Sequence, residues 1–210
     1  MTDTIRTFVA IEVPEPVCEL VRTLQLELQR YSKLWASYPP PANTHLTLRF
    51  LGDVKRDRIE GIVSSIESQV AEIPPFTLTT TSIGAFPSLR KPNVIWLGIG
   101  EEPSLMELYT AVEEGLNSAG HGYGDKQFHP HLTLARVKSI EPSFRLDQII
   151  SRMKYPVLEW DVGELILMSS VLHPKGAIYK PLARFPLTGG EEFFDEDELS
   201  DEEELTDEDE

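Results

Sequence analysis

Apolar and polar residues alternate at period two in two short runs, HLTLRF at 45–50 and HLTLAR at 131–136. On a strand, successive side chains point to opposite faces. A straight strand therefore puts His45, Thr47 and Arg49 on one face and Leu46, Leu48 and Phe50 on the other. His131 and Thr133 stand in the same way against Leu132 and Leu134. The leucines belong to a core, and the His–Thr pairs face whatever lies across from it. The two runs start 86 positions apart.

Similar patterns divide the rest of the chain. RTFVAIEV at 6–13 reads as a strand ended by Pro14 and Pro16. Val17, Val21, Leu24 and Leu28 form a helical stripe over 16–31. YPPPANT at 38–44 is a stiff extended connector, and the first motif strand is expected to stop at Gly52-Asp53. Ile59, Ile62, Val63, Ile66 and Val70 predict an amphipathic helix over 56–72; Leu105, Leu108, Tyr109, Val112 and Leu116 predict another over 104–118. Strands are expected at 76–83 and 93–99, with GAFPSLRKPN as the loop between them and Gly120–Gly124 as a second loop. A short helix around 143–152 and strands near 157–169 and 177–186, turning at HPKG (173–176), complete the body. Each half reads strand, helix, strand, helix, strand. With the repeated phrase, this predicts an α+β fold of two lobes related by a pseudo-twofold axis. Each lobe has an antiparallel sheet with helices on its outer face; if the two motif strands meet across that axis, an active cleft between the lobes holds both His–Thr pairs.

Charge changes the picture at one end. The net charge is −16, but residues 191–210 hold 14 of the 35 acids and no base. That leaves 21 acids against 19 bases over residues 1–190, a net of −2. The tail has only Phe193, Phe194, Leu199 and Leu205 as apolar groups and is expected to be a disordered, solubilising segment. A sharper role would be an internal mimic of nucleic acid that competes for the cleft. Residues 1–190 form the working domain. Its near-neutral charge argues against an RNA-binding module without catalysis, because non-specific RNA binders are basic. No apolar run reaches the roughly 18 residues of a membrane span, and the N-terminus lacks a signal-peptide core. A cytoplasmic monomer is expected. Cys18 is the only cysteine, so no intramolecular disulfide forms, and its apolar neighbours mark it as a buried thiol.

Two imidazoles and two hydroxyls facing one another suit a specific chemistry. An imidazole titrates near pH ~6.5, so one can be neutral while the other is protonated. The neutral ring takes a proton from water and the protonated ring gives one to a leaving group. The threonines, about one strand repeat (~6.6–6.8 Å) further along, donate to the non-bridging oxygens of an anion held between them. This describes in-line hydrolysis of a phosphodiester with no metal and no cofactor. A metal site built from His129, His131 and His45 is the competing arrangement, but neither motif carries a carboxylate and there is no cysteine cluster. His121, in the glycine-rich loop, and His173, before Pro174, read as surface residues.

The residues HLTLRFLG and HPHLTLAR, with RTFVAIEVP at the start and YKPLARFPL at the end, resemble the two-histidine phosphoesterases. Within them the chain is most similar to the RNA 2′,3′-cyclic phosphodiesterases, the LigT type also called 2′–5′ RNA ligases. The resemblance covers roughly residues 5–187. It implies a bilobal α+β fold and hydrolysis of RNA 2′,3′-cyclic phosphate ends or cyclic nucleotides to a 2′-phosphate. It implies that His45 protonates the departing ribose 3′ oxygen, that His131 activates water, and that Thr47 and Thr133 hold phosphate oxygens. Arg136 matches the family's phosphate-binding arginine. Strict alternation would face Arg136 away from His131, so that role requires the strand to bulge or end. Arg49 has the parity of His45 and is expected to be an auxiliary contact to phosphate or RNA backbone. Phe8 and Phe50 are candidates to stack a base, with core packing favoured for both and more clearly for Phe50. A 2′–5′ ligase or a 2′–5′ phosphodiesterase would use the same site.

Overall fold

The computed structural model describes residues 3–125, 127–171, 173 and 176–189. The expected acidic tail and residues 174–175 of the HPKG turn lie outside the described residues. In chain order the elements are β1 (Thr4–Glu12), α1 (Glu15–Gln29), β2 (Leu34–Ser37), β3 (His45–Lys55), α2 (Ile59–Val70), β4 (Phe76–Ser88), β5 (Lys91–Ile99), α3 (Pro103–Ser118), β6 (His131–Ile140), α4 (Leu146–Ile150), β7 (Glu159–Val162), β8 (Glu164–Val171) and β9 (Ile178–Pro186). The helices begin where the local chemistry allows. α1 carries a proline in its first turn, where no N–H is needed. Glu102 caps α3 by accepting from the Ser104 N–H at 3.2 Å.

The strands form two sheets, in the order β3-β1-β8-β9 and β2-β6-β5-β4-β7, and every described pairing is antiparallel. This is the expected α+β pair of sheets, but the lobes are not consecutive halves of the chain. The two ends of the described chain build the first sheet, and the middle builds the second. β2 crosses early to the second sheet, and the chain returns to the first at Gly163, between β7 and β8. The expected single strand over 157–169 is therefore two strands in different sheets.

The period-two leucines carry the core. Leu46, Leu48, Leu132 and Leu134 are buried with Val9, Ile11, Ile95, Leu97 and the apolar stripes of the helices. Burying one such side chain contributes about 1.5–3 kcal/mol. A one-residue slip of either motif strand would expose its leucines, so the core fixes which face the histidines occupy. α2 and α3 pack closely at Gly115, where a Cβ would stand 2.8 Å from the Ser65 carbonyl oxygen. Cys18 is buried, and burial raises its thiol pKa.

Three other expectations are corrected. β3 does not stop at Gly52-Asp53. Gly52 takes a φ of +72° opposite Thr7, Leu51 is left without a partner, and the strand continues to Lys55. A glycine in this conformation is a standard bulge former. GAFPSLRKPN is not a loop: β4 and β5 pair through it and turn only at Leu89-Arg90. The short edge strand LWAS (34–37) had no predicted counterpart. Among the described residues no helix is long and apolar enough to cross a membrane.

Candidate active site

β3 and β6 come into contact across the two sheets. His45 and His131 open these strands and are held in the same way. The Nδ1–H of His45 donates to the Asn43 carbonyl at 2.8 Å, and the Nδ1–H of His131 donates to the His129 carbonyl at 2.7 Å. A carbonyl only accepts, so each bond fixes the tautomer and leaves Nε2 for proton exchange. The Asn43 end is itself anchored, because its side-chain amide donates to the Ala177 carbonyl at 2.7 Å.

Register places the remaining groups. On β6, His131 stands opposite Gly98 and Thr133 opposite Trp96, then the pairing shifts so that Ala135 faces Ile95 and Arg136 faces Val94. Leu134 has no partner residue in either neighbouring strand. This is the bulge that Arg136 requires. It turns Arg136 onto the face of His131 and Thr133, and the guanidinium lowers the pKa of both histidines. The bulge is clamped from behind. Gln25 of α1, 4 % exposed, donates from its amide to the Leu134 carbonyl at 3.0 Å and to the Pro39 carbonyl at 2.9 Å.

β3 bulges at the matching position. Thr47 faces Ala10, Arg49 faces Val9 and Phe50 faces Phe8, with Leu48 skipped. Phe50 therefore leaves the leucines' face and is 56 % exposed, correcting its expected core placement. It occupies the place in the first motif that Arg136 holds in the second, five positions after the histidine. That alignment of the two phrases was the signal for its exposure. Phe8 is buried, as expected, with its ring 4.9 Å from that of His45 and 5.6 Å from that of Phe50. The bulge also shifts Arg49 from the His45 parity. Its guanidinium pairs with the nearly buried Glu113 of α3 at 3.5 Å and donates to the Gly122 carbonyl at 3.4 Å.

A cavity of about 630 Å³ opens beside the two strands; His131 and Thr47 line it, and His45, Thr133 and Arg136 do not. Thr47, Arg49 and Phe50 line one side and His131, His129 and Phe86 the other; Asp125 and Gln127 supply polar edges. Aromatic rings back both histidines: Phe8 and Tyr179 at His45, Phe86 and Trp96 at His131. Burial is the main reason both histidine pKa values fall below the ordinary 6.5. The other influences differ. Glu12, opposite His45 on β1, raises the pKa of His45; at His131 the opposite residue is Gly98 and the neighbouring His129 lowers it. Among the described residues no group of three or more His, Cys, Asp or Glu could hold a metal ion.

The pair of antiparallel sheets with their helices places the chain in a class of fold, the LigT-like α+β proteins. A crystal structure of Escherichia coli LigT complexed with 3′-AMP superposes with a TM-score of 0.69 at 26% identity, covering 88% of this chain and 99% of that one. Residues 13–173 match the model of the 2′-5′ RNA ligase superfamily, and the chain belongs to that superfamily. The RNA 2′,3′-cyclic phosphodiesterase of Archaeoglobus fulgidus is 36% identical over 86% of this chain and 99% of its own length. The protein of the same name from Thermotoga maritima is 33% identical over 88% of this chain and 97% of its own.

Proposed function

We propose that this chain hydrolyses RNA 2′,3′-cyclic phosphate ends, and the corresponding cyclic nucleotides, to 2′-phosphates without a metal. The observation that carries the reading is the matched pair of histidines, each with Nδ1–H committed to a carbonyl two residues before it. The names of the relatives support the substrate class.

In this mechanism the phosphate lies between the two strands. The hydroxyls of Thr47 and Thr133 donate to its non-bridging oxygens, and Arg136 supplies positive charge. Nε2 of His131 takes a proton from water as the water oxygen attacks phosphorus. The P–O3′ bond breaks, and Nε2–H of His45 gives its proton to the leaving 3′ oxygen. The product carries a 2′-phosphate and a free 3′-hydroxyl. Burial and Arg136 lower the pKa of both histidines, and the difference that supports this order of roles is that Glu12 favours the protonated form of His45 while His129 favours the neutral form of His131. Arg49, already matched by Glu113, takes a subordinate part as a charge on the cleft wall. Residues 1–190 would be the catalytic unit, working as a monomer in the cytoplasm.

The test is to incubate the protein with RNA ending in a 2′,3′-cyclic phosphate in excess EDTA and identify the product. A 2′-phosphate is expected. Turnover only after metal is added would overturn the metal-free reading. The superfamily's name keeps 2′–5′ ligation as the second reading, since a 5′-hydroxyl in place of water could attack the same phosphorus, forming a 2′–5′ linkage as the P–O3′ bond breaks and the 3′ oxygen takes a proton. Adding an RNA with a 5′-hydroxyl and looking for a 2′–5′ joined product separates the two.

A further inference from the structure

The cleft-facing side of the second sheet continues past Arg136. At the sheet edge β2 pairs with β6, Ser37 opposite Arg136 and Trp35 opposite Ser139. Opposed residues of an antiparallel pair share a face. Leu34 is buried in the core, with Ala36, Val137 and Ile140 packed against that core, so Trp35, Ser37, Arg136 and Ser139 present the other side. His131, Thr133 and Arg136 are therefore on the same face as Trp35, which lies about 10 Å beyond Arg136 along the strand.

Trp35 is 65 % exposed, more than any other large hydrophobic side chain among the described residues. Lys138, the residue skipped by the β2–β6 register shift, holds its ammonium 5.7 Å from the centre of the indole ring. No acid stands on this face between Arg136 and Ser139. The nearest carboxylate along β6, Glu141, is paired with Lys33 at 3.7 Å. An exposed ring beside a cation, in line with the reacting groups, is what single-stranded nucleic acid binds. Bases stack on the ring, and phosphates follow the positive charge.

We infer that Trp35 and Lys138 form a docking track for the RNA strand leading into the site, holding nucleotides on the 5′ side of the reacting end. This deepens the phosphodiesterase reading and rests on it. It makes polynucleotide ends better substrates than mononucleotides. The near-neutral body is no obstacle, because the positive charge is local to the strand that carries the chemistry.

The experiment compares wild type, Trp35→Ala, Trp35→Phe and Lys138→Ala on two substrates. One is a short oligonucleotide ending in a 2′,3′-cyclic phosphate, and the other is adenosine 2′,3′-cyclic phosphate. Trp35→Ala is expected to raise KM for the oligonucleotide roughly tenfold, and Trp35→Phe much less. Lys138→Ala is expected to flatten the dependence of log affinity on log salt by about 0.7. Neither variant should change turnover of the mononucleotide. An equal loss on both substrates, or no loss on the oligonucleotide, would overturn the track. A binding arm uses labelled oligonucleotide ending in a 2′-phosphate and needs no reaction. Tight binding weakened by Trp35→Ala in a protein without hydrolytic activity would uphold the track and remove the hydrolysis.

Discussion

His45 and His131 differ in the neighbours that tune them, and that difference makes their roles testable. With His131 as base and His45 as acid, the active form has His131 neutral and His45 protonated. The acid limb of kcat/KM then reports His131, and the alkaline limb reports His45. Glu12 raises the pKa of His45 and is not among the groups acting on His131. Glu12→Gln should therefore lower the His45 pKa and move the alkaline limb to lower pH, leaving the acid limb in place. Arg136 lowers both pKa values, so Arg136→Gln should move both limbs to higher pH while weakening phosphate binding. Full pH profiles of the two variants check both signs. Movement of the acid limb alone in Glu12→Gln would reverse the roles of the two histidines. The repeated H-x-T phrase already marked the pair. The order of acid and base was not legible, because Glu12 lies 33 positions before His45 and meets it only through strand pairing.

At the scale of elements, the paired bulges turn a symmetric repeat into an asymmetric site. Each motif strand bulges at the leucine three positions after its histidine, Leu48 or Leu134, and the residue five after the histidine turns onto the histidine's face, Phe50 in one copy and Arg136 in the other. Alternation placed His45, Thr47, His131 and Thr133 correctly because it depends only on local geometry. Bulges depend on the register of the partner strand, so Phe50 was assigned to the core, while Arg49 reaches the cleft wall as expected but is paired there with Glu113. The hairpin at 84–93 was hidden by its glycine and prolines, which ordinarily mark loops. LWAS was too short to show a period. Gln25 joins the helix to the bulge, and its replacement has a specific signature. Gln25→Leu keeps much of the shape but strips the Leu134 and Pro39 carbonyls of their donor. An unmet buried polar group costs about 1–3 kcal/mol, which urea denaturation would read. If Gln25 holds the bulge that aims Arg136, the variant should also shift both pH limbs upward, as Arg136→Gln does. Loss of stability with an unmoved pH profile would reduce Gln25 to a packing residue.

Over the whole molecule, the interleaved lobes determine where the chain leaves the body. Residues 188–189 dock at the end of α2, where the Thr188 hydroxyl donates to the Ala71 carbonyl at 3.0 Å and the Gly189 N–H donates to the Ile73 carbonyl at 3.1 Å. β4 starts three residues after Ile73, and Phe86, the ring against His131, is ten residues further along it. The acidic segment thus departs from the end of the strand remote from the cleft, about 30 Å away at strand spacing. Charges at that distance are screened at physiological salt, where the Debye length is about 8 Å. A 20-residue chain can stretch to roughly 70 Å, so the segment has the reach to enter the cleft, at an entropic cost. Its 14 acids find few unmatched cations among the described residues to hold them there: Arg49 is paired with Glu113, leaving Arg136 and Lys138 on the working face. Removing residues 191–210 should therefore leave kcat and KM unchanged for both the oligonucleotide and the mononucleotide, and lower solubility near neutral pH. Steady-state kinetics at low and physiological salt check this. A fall in KM for the oligonucleotide alone, largest at low salt, would instead show the segment competing with RNA for the track at Trp35 and Lys138.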